Sequence, residues 1–186
     1  MNARTFDPRR LDVAAFAEQQ GQLAGELPLS QLQRLSDFTA PEGAPGSLDT
    51  VSWRARGEAR PGRAQQPPHL WLHLTTETVL TMTCQRCLQP MPVPLNVARD
   101  LRFVEGKDAA AAEDADSEDD VLALTAHLNL HTLIEDELVL GLPWVPRHDA
   151  CPEPLVVPSN SAGPEQAPDP HPFQAALAQL KKRLDS

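Results

Sequence analysis

Met91-Pro-Val-Pro-Leu-Asn-Val-Ala-Arg-Asp-Leu-Arg-Phe-Val104 alternates apolar and polar residues along its length. Met91, Val93, Leu95, Val97, Leu101 and Phe103 hold the odd positions, interrupted only by Arg99. Pro92, Pro94, Asn96, Asp100 and Arg102 hold even ones. A period of two is the mark of a strand with one buried face. Pro92 and Pro94 have no N–H to give to a neighbouring strand, so the start of this segment is expected at an edge or loosely paired.

Upstream, 69–83 repeats the pattern, with Leu70, Leu72 and Leu74 set against Trp71, His73 and Thr75, followed by a threonine-rich run. Residues 50–60 do so again, with Val51, Trp53 and Ala55 against Ser52, Arg54 and Arg56. Residues 84–90 then become the tip of a hairpin between the second and third strands.

Downstream, six of the eight residues from Glu113 to Asp120 are carboxylates, after a run of four alanines. Their mutual repulsion and the lack of large apolar groups predict a mobile acidic loop over 105–120. Residues 129–142 read as a helix capped by Asn129. Leu130, Leu133, Ile134 and Leu138 form its apolar stripe, Glu135, Asp136 and Glu137 fall largely on the other side, and Gly141 and Pro143 end it.

Nearer the N-terminus, Leu11, Val13 and Phe16 predict a short helix or strand, 29–38 a short helix, and 40–49 a loop. Seven prolines between Pro152 and Pro172 predict an extended tether. Phe173, Leu177, Leu180 and Leu184 follow at helical spacing, with Lys181, Lys182 and Arg183 at the negative end of the helix dipole. The expected fold is α+β: a small antiparallel sheet with a packed helix, a Pro-rich tether and a C-terminal amphipathic helix. The expected organisation is one domain over 1–151, a linker over 152–171 and a helix over 172–186.

Every cysteine lies in one of two clusters, Cys84-Gln-Arg-Cys87 and His148-Asp-Ala-Cys151. Two ligand pairs, each with two residues between its members, suit a tetrahedral zinc ion, because one tight turn presents two donors and a distant pair closes the site. The sixty residues between the pairs exceed the usual zinc-ribbon gap. Cys84, Cys87, His148 and Cys151 are therefore candidate ligands of a structural zinc joining hairpin tip to helix end. Two other readings stand beside it: a thiol redox pair, or cysteines that merely occupy a turn. No βαβ pattern surrounds Cys84, which weakens the redox reading.

The 26 acidic and 16 basic side chains leave a net charge of −10. Such a chain is repelled by phosphate backbones unless its basic residues gather on one face, and its acidic surface either suits a cationic partner or, at least as commonly, only keeps the chain in solution. With no Tyr and few other aromatics, a base-stacking platform has little material. Arg54, Arg56, Arg60 and Arg63 are the local argument for RNA contact, though arginines without interleaved aromatics more often meet the protein's own carboxylates. No Gly-rich phosphate loop is present, and His127 and His131 lack the intervening Glu of a metalloprotease helix. No stretch approaches the ~20 apolar residues that span a bilayer, and residues 1–30 hold no apolar run of signal-peptide length, so a cytoplasmic, reduced setting is expected.

Three segments, in order, resemble the YceD family, the large ribosomal RNA subunit accumulation proteins of bacteria and plastids. They are Cys84-Gln-Arg-Cys87 with Pro90; Leu133-Ile-Glu-Asp-Glu-Leu-Val-Leu-Gly-Leu-Pro-Trp-Val-Pro146 running into His148 and Cys151; and His171-Pro-Phe173 with Leu177, Leu180, Lys181 and Lys182. The resemblance covers about 70–151 and the C-terminal segment. Many members carry further cysteines after the Leu-Pro segment, where this chain has His148 and Cys151. The resemblance implies a non-enzymatic role in synthesis, processing or stability of large-subunit ribosomal RNA. The expected partner is a basic large-subunit ribosomal protein or a pre-ribosomal particle, with RNA contacted indirectly. The alternatives are a metal- or thiol-dependent RNA-processing enzyme and a direct RNA-binding module.

Overall fold

Three long strands form where the alternation places them: β2 (Thr50–Arg60), β3 (His69–Thr83) and β4 (Pro90–Val104). In the computed structural model the residues described are 5–41, 50–62 and 68–152. Two shorter strands complete the sheet, β1 (Gln22–Pro28) and β5 (Asp120–Ala123), in the order β1-β2-β3-β4-β5. Four helices accompany them: α1 (Val13–Glu18), α2 (Gln33–Ser36), α3 (Lys107–Asp116) and α4 (Leu130–Leu140). The α+β expectation holds.

The first four strands pair antiparallel, with Leu74 opposite Ala55 on one side and Arg99 on the other. β5 instead runs parallel to β4, from Leu101↔Asp120 to Val104↔Ala123. The sheet is therefore mixed rather than purely antiparallel. The reason is the segment between β4 and β5, which is long enough and helical enough to bring the chain back in the same direction.

That segment corrects the expectation of an acidic loop over 105–120. Lys107–Asp116 is helical, entered from Gly106 at φ +89°. The four alanines carry the highest helix propensity of any residue. The repulsion is answered locally: Arg102 sits 2.6 Å from Glu113 and 3.6 Å from Asp119, and Asp114 accepts the Val121 N–H at 3.0 Å. Ala110 is the one buried residue of α3.

The odd residues of β2 and β4 and the even residues of β3 make one apolar face, which α1, α2 and α4 cover. Phe16, Leu35, Ile134 and Leu138 lie over Val51, Leu72, Leu74 and Leu101, none more than 2% exposed. Each such side chain contributes roughly 1.5–3 kcal/mol by leaving water. Gly57 lets α1 rest directly on β2, because a Cβ there would stand 2.6 Å from the Phe16 carbonyl oxygen.

Two expected details change. The 29–38 helix is interrupted at Leu32 into a 3-10 turn (Leu29–Gln31) and α2, because Leu32 adopts an extended-side ψ of 77°. The α4 carboxylates are not all turned to solvent. Glu135 and Glu137 are at most 9% exposed and point toward the body of the protein. Glu135 accepts the backbone N–H groups of Arg34 (2.7 Å) and Leu35 (3.3 Å) as well as the Arg34 guanidinium. It thereby caps α2, which has no side-chain cap of its own. Glu137 meets Arg99, the one charged residue on the inward parity of β4, at 2.9 Å. Asn129 caps α4 as expected, accepting from His131 and Thr132.

The ladder between β3 and β4 runs through Pro90, Pro92 and Pro94. Residues of one parity aim their nitrogens at one border, so a continuous ladder puts these three on the border away from β3. Among the described residues that border has no strand partner over 90–100, as the prolines demanded. The linker expected beyond Pro152, the helix expected over 172–186, most of the loop expected over 40–49 and Arg63 lie outside the described residues.

Candidate metal centre

The tip of the β3–β4 hairpin is a tight knuckle. Leu88 N–H returns to the Cys84 carbonyl at 2.9 Å, and Cys84 N–H bonds the Gln89 carbonyl at 2.9 Å. Leu88 takes a left-handed φ of +61° to close it. This turn presents Cys84 and Cys87 on one side. The chain leaving α4 passes alongside, held where Gln85 N–H donates to the Pro146 carbonyl at 2.8 Å. His148 and Cys151 follow directly.

The fold brings all four sequence candidates together. One donor atom from each of Cys84, Cys87, His148 and Cys151 lies within 4.8 Å of every other. Cys84 Sγ is 3.9 Å from Cys151 Sγ, and Cys87 Sγ is 3.4 Å from His148 Nδ1. Cys84 and Cys87 are buried while His148 and Cys151 are partly exposed. Neither buried thiol belongs to the hydrophobic core cluster, so each is shielded by the knuckle and the 148–151 segment rather than by the core.

The electrostatics favour anionic sulfur at one position in particular. Burial acts to raise the Cys84 thiol, but backbone N–H groups of Cys87, His148 and Arg86 aimed at it bring it down to about 5. The His148 N–H is 3.5 Å from that sulfur. Burial pushes the Cys87 thiol up. Arg86, inside the knuckle, donates through Nε to Cys151 Sγ at 3.1 Å and through Nη2 to the His148 and Asp149 carbonyls at 3.0 and 3.4 Å. Sequence reasoning passed over Arg86. Its signal was only that it stands between the two cysteines.

The arginines expected to offer an RNA stripe are spoken for in part. Glu58 holds Arg56 at 3.3 Å and Arg60 at 3.0 Å, and Arg60 also lies 4.5 Å over the Trp71 ring. Glu58 and Asp100 flank His73 at 2.9 and 2.6 Å. His131 packs edge-on to Trp53, apart from His127's role in its own turn.

A second surface adjoins the knuckle. Six large hydrophobic side chains are exposed among the described residues: Phe38, Val79, Leu88, Leu140, Trp144 and Val145. Four of them, Phe38, Leu140, Trp144 and Val145, line one groove of about 690 Å³ between the end of α2, the end of α4 and the 143–146 loop. Trp144 is fully exposed. Gathering of this kind marks an interaction surface rather than scattered surface apolarity. No helix of the described residues is long and apolar enough to cross a membrane.

A family model described as large ribosomal RNA subunit accumulation protein YceD matches residues 72–181. No solved structure matches the chain.

Proposed function

The chain belongs to the YceD family, and from that premise we propose that it is a non-catalytic assembly factor. In this reading it supports accumulation of large-subunit ribosomal RNA by gripping a basic ribosomal protein, free or within an assembly intermediate. The observation that carries it is the family match across well over half of the chain.

The charge distribution supports the choice of partner. Residues 105–120 hold eight carboxylates against Lys107 alone, a balance of −7 within the chain's −10. Charge so concentrated draws a cationic protein from a distance and speeds encounter. The same field opposes naked RNA. The groove beside Trp144 supplies the apolar anchoring that attraction alone lacks, since exposed tryptophans dominate binding energy where partners dock. A cationic segment bearing an apolar anchor is the occupant that fits both features.

Affinity capture of the tagged chain from cells tests this. The expected catch is a basic large-subunit protein that survives ribonuclease treatment and elutes with salt. Capture of ribosomal RNA that persists at high salt, with no basic protein retained, would contradict it.

A further inference from the structure

We propose that the outer border of β1 is a self-association site, at which two copies of the chain pair antiparallel about Gly25 and join their sheets. The proposal stands independently of the ribosomal reading. β1 ends the sheet on the side opposite β5, and among the described residues only β2 pairs with it.

The ladder decides which backbone groups of β1 look outward. Gly57 N–H donates to the Gly21 carbonyl at 2.9 Å, which makes Gly21 and Gly57 a hydrogen-bonded pair of the β1–β2 ladder. Alternation then turns the N–H and C=O groups of Leu23, Gly25 and Leu27 toward β2. Those of Gln22, Ala24 and Glu26, with the Pro28 carbonyl, point away from it. Carried across β2 and β3, the same alternation turns Pro90, Pro92 and Pro94 away from β3, where residues without an N–H belong. The parity is thus fixed from both sides of the sheet.

A second β1 set antiparallel, with Gly25 opposite Gly25, uses all of these donors. Ala24 and Glu26 of each copy exchange N–H···O=C bonds with Glu26 and Ala24 of the other. Each Gln22 N–H meets the other copy's Pro28 carbonyl, so the missing proline N–H costs nothing but a bond to the Gln22 carbonyl. In this register Leu23 of each copy faces Leu27 of the other as a close non-hydrogen-bonded pair, which covers the half-buried Leu23 on the core face. On the opposite face, Glu26 of one copy lies in a row with Ala24 and Arg54 of the other, since Ala24 pairs with Arg54. The Cα atoms of Arg54 and that Glu26 come about 10 Å apart with only a methyl group between, within reach of the two side chains. Arg54 is exposed and has no ion pair of its own among the described residues. A register two residues away uses the same donors, but it sets Leu27 against Gly21 and Glu26 beside Arg56, which Glu58 already holds.

A foreign strand would find the same backbone border, but the leucine and arginine–glutamate matches both come from this sheet itself. The chain's negative charge does not forbid the pairing. The carboxylate-rich 105–120 segment ends in β5, four strands from β1. That is about 19 Å at the usual strand spacing, beyond the Debye length of about 8 Å at physiological salt.

Equilibrium sedimentation of the full-length chain should show a monomer–dimer equilibrium between micromolar and millimolar protein. By NMR, exchange of the Gln22, Ala24 and Glu26 amide hydrogens should slow as the dimer fills. Ala24→Pro removes an N–H that β2 does not use, so this variant should stay folded and lose the dimer. Arg54→Glu and Glu26→Arg, both surface changes, should each weaken self-association by about tenfold, because two attractive pairs turn repulsive. Mixed together, these two variants should form a heterodimer of parental affinity, since each restores the other's pairs. A parent chain that stays monomeric at millimolar concentration would overturn the proposal. So would a dimer that survives Ala24→Pro, mixed charge variants that associate no better than each alone, or protection of the three amides only when another protein is added.

Discussion

Glu135 shows what a single carboxylate can hold. It serves two backbone N–H groups and a guanidinium about a hundred residues away in sequence. Its ion pair with Arg34 is half in water and contributes little by itself. The capped N–H groups matter more, because Leu35 is fully buried and an unsatisfied donor there has no water to turn to. Glu135→Ala is expected to cost about 2–3 kcal/mol in urea denaturation, while Asp136→Ala, at an exposed position, should cost under about 0.5 kcal/mol. Glu58 gives a pH signature. Arg60, then His73, hold its carboxyl down from 4.5 to about 2. A depressed carboxyl stabilises the fold above the unfolded value and loses that contribution as pH falls through the folded one. Glu58→Gln should therefore lower the thermal midpoint above pH 5, with the gap to the parent chain closing between about pH 4.5 and 2.

Among the elements of ten residues or more, α3 is the least anchored, with one buried residue and carboxylates on much of its surface. Ala110→Asp would press a carboxylate against the sheet beside others. Hydrogen exchange should then show Lys107–Ala123 opening while β2, β3 and the paired length of β4 keep their protection, since the antiparallel meander does not depend on β5. How far these elements were legible follows the same logic. β2, β3 and β4 declared themselves because each buries one face and so alternates strictly. α4 declared its stripe and its Asn129 cap. β1 did not, since Gln22-Leu-Ala-Gly-Glu-Leu-Pro28 is short, half exposed and weak in strand formers. β5 has four residues and exists only through its pairing with β4. α3 was misread because the carboxylates were weighed before the alanines, and Arg102 is seen to neutralise them only after folding. The roles of Glu135 and Glu137 are likewise invisible in one dimension: their partners, Arg34 and Arg99, are set by tertiary contact. At the candidate metal centre the two pairs were legible by spacing, whereas their approach to within 4.8 Å needed the α4 exit to run beside the knuckle.

At the scale of the whole molecule, the acidic 105–120 segment and the Trp144 groove have no lining residue in common, so the attraction and anchoring proposed for them can be separated by mutation. Trp144→Ala removes a side chain that buries nothing, so stability should change by no more than about 0.5 kcal/mol. Recovery of the captured partner should fall at least tenfold, the loss expected of a docking tryptophan. Replacing Asp108, Asp116, Glu118 and Asp120 with their amides should instead leave recovery at high salt unchanged and flatten its dependence on ionic strength. One more property belongs to the molecule as a whole. A row of prolines at 90, 92 and 94 turns the first stretch of the β4 border into a seam that an additional strand cannot stitch onto. Along 90–94 a companion must therefore meet this protein through side chains. That stretch of the sheet is spared the fibre-like stacking that open borders invite.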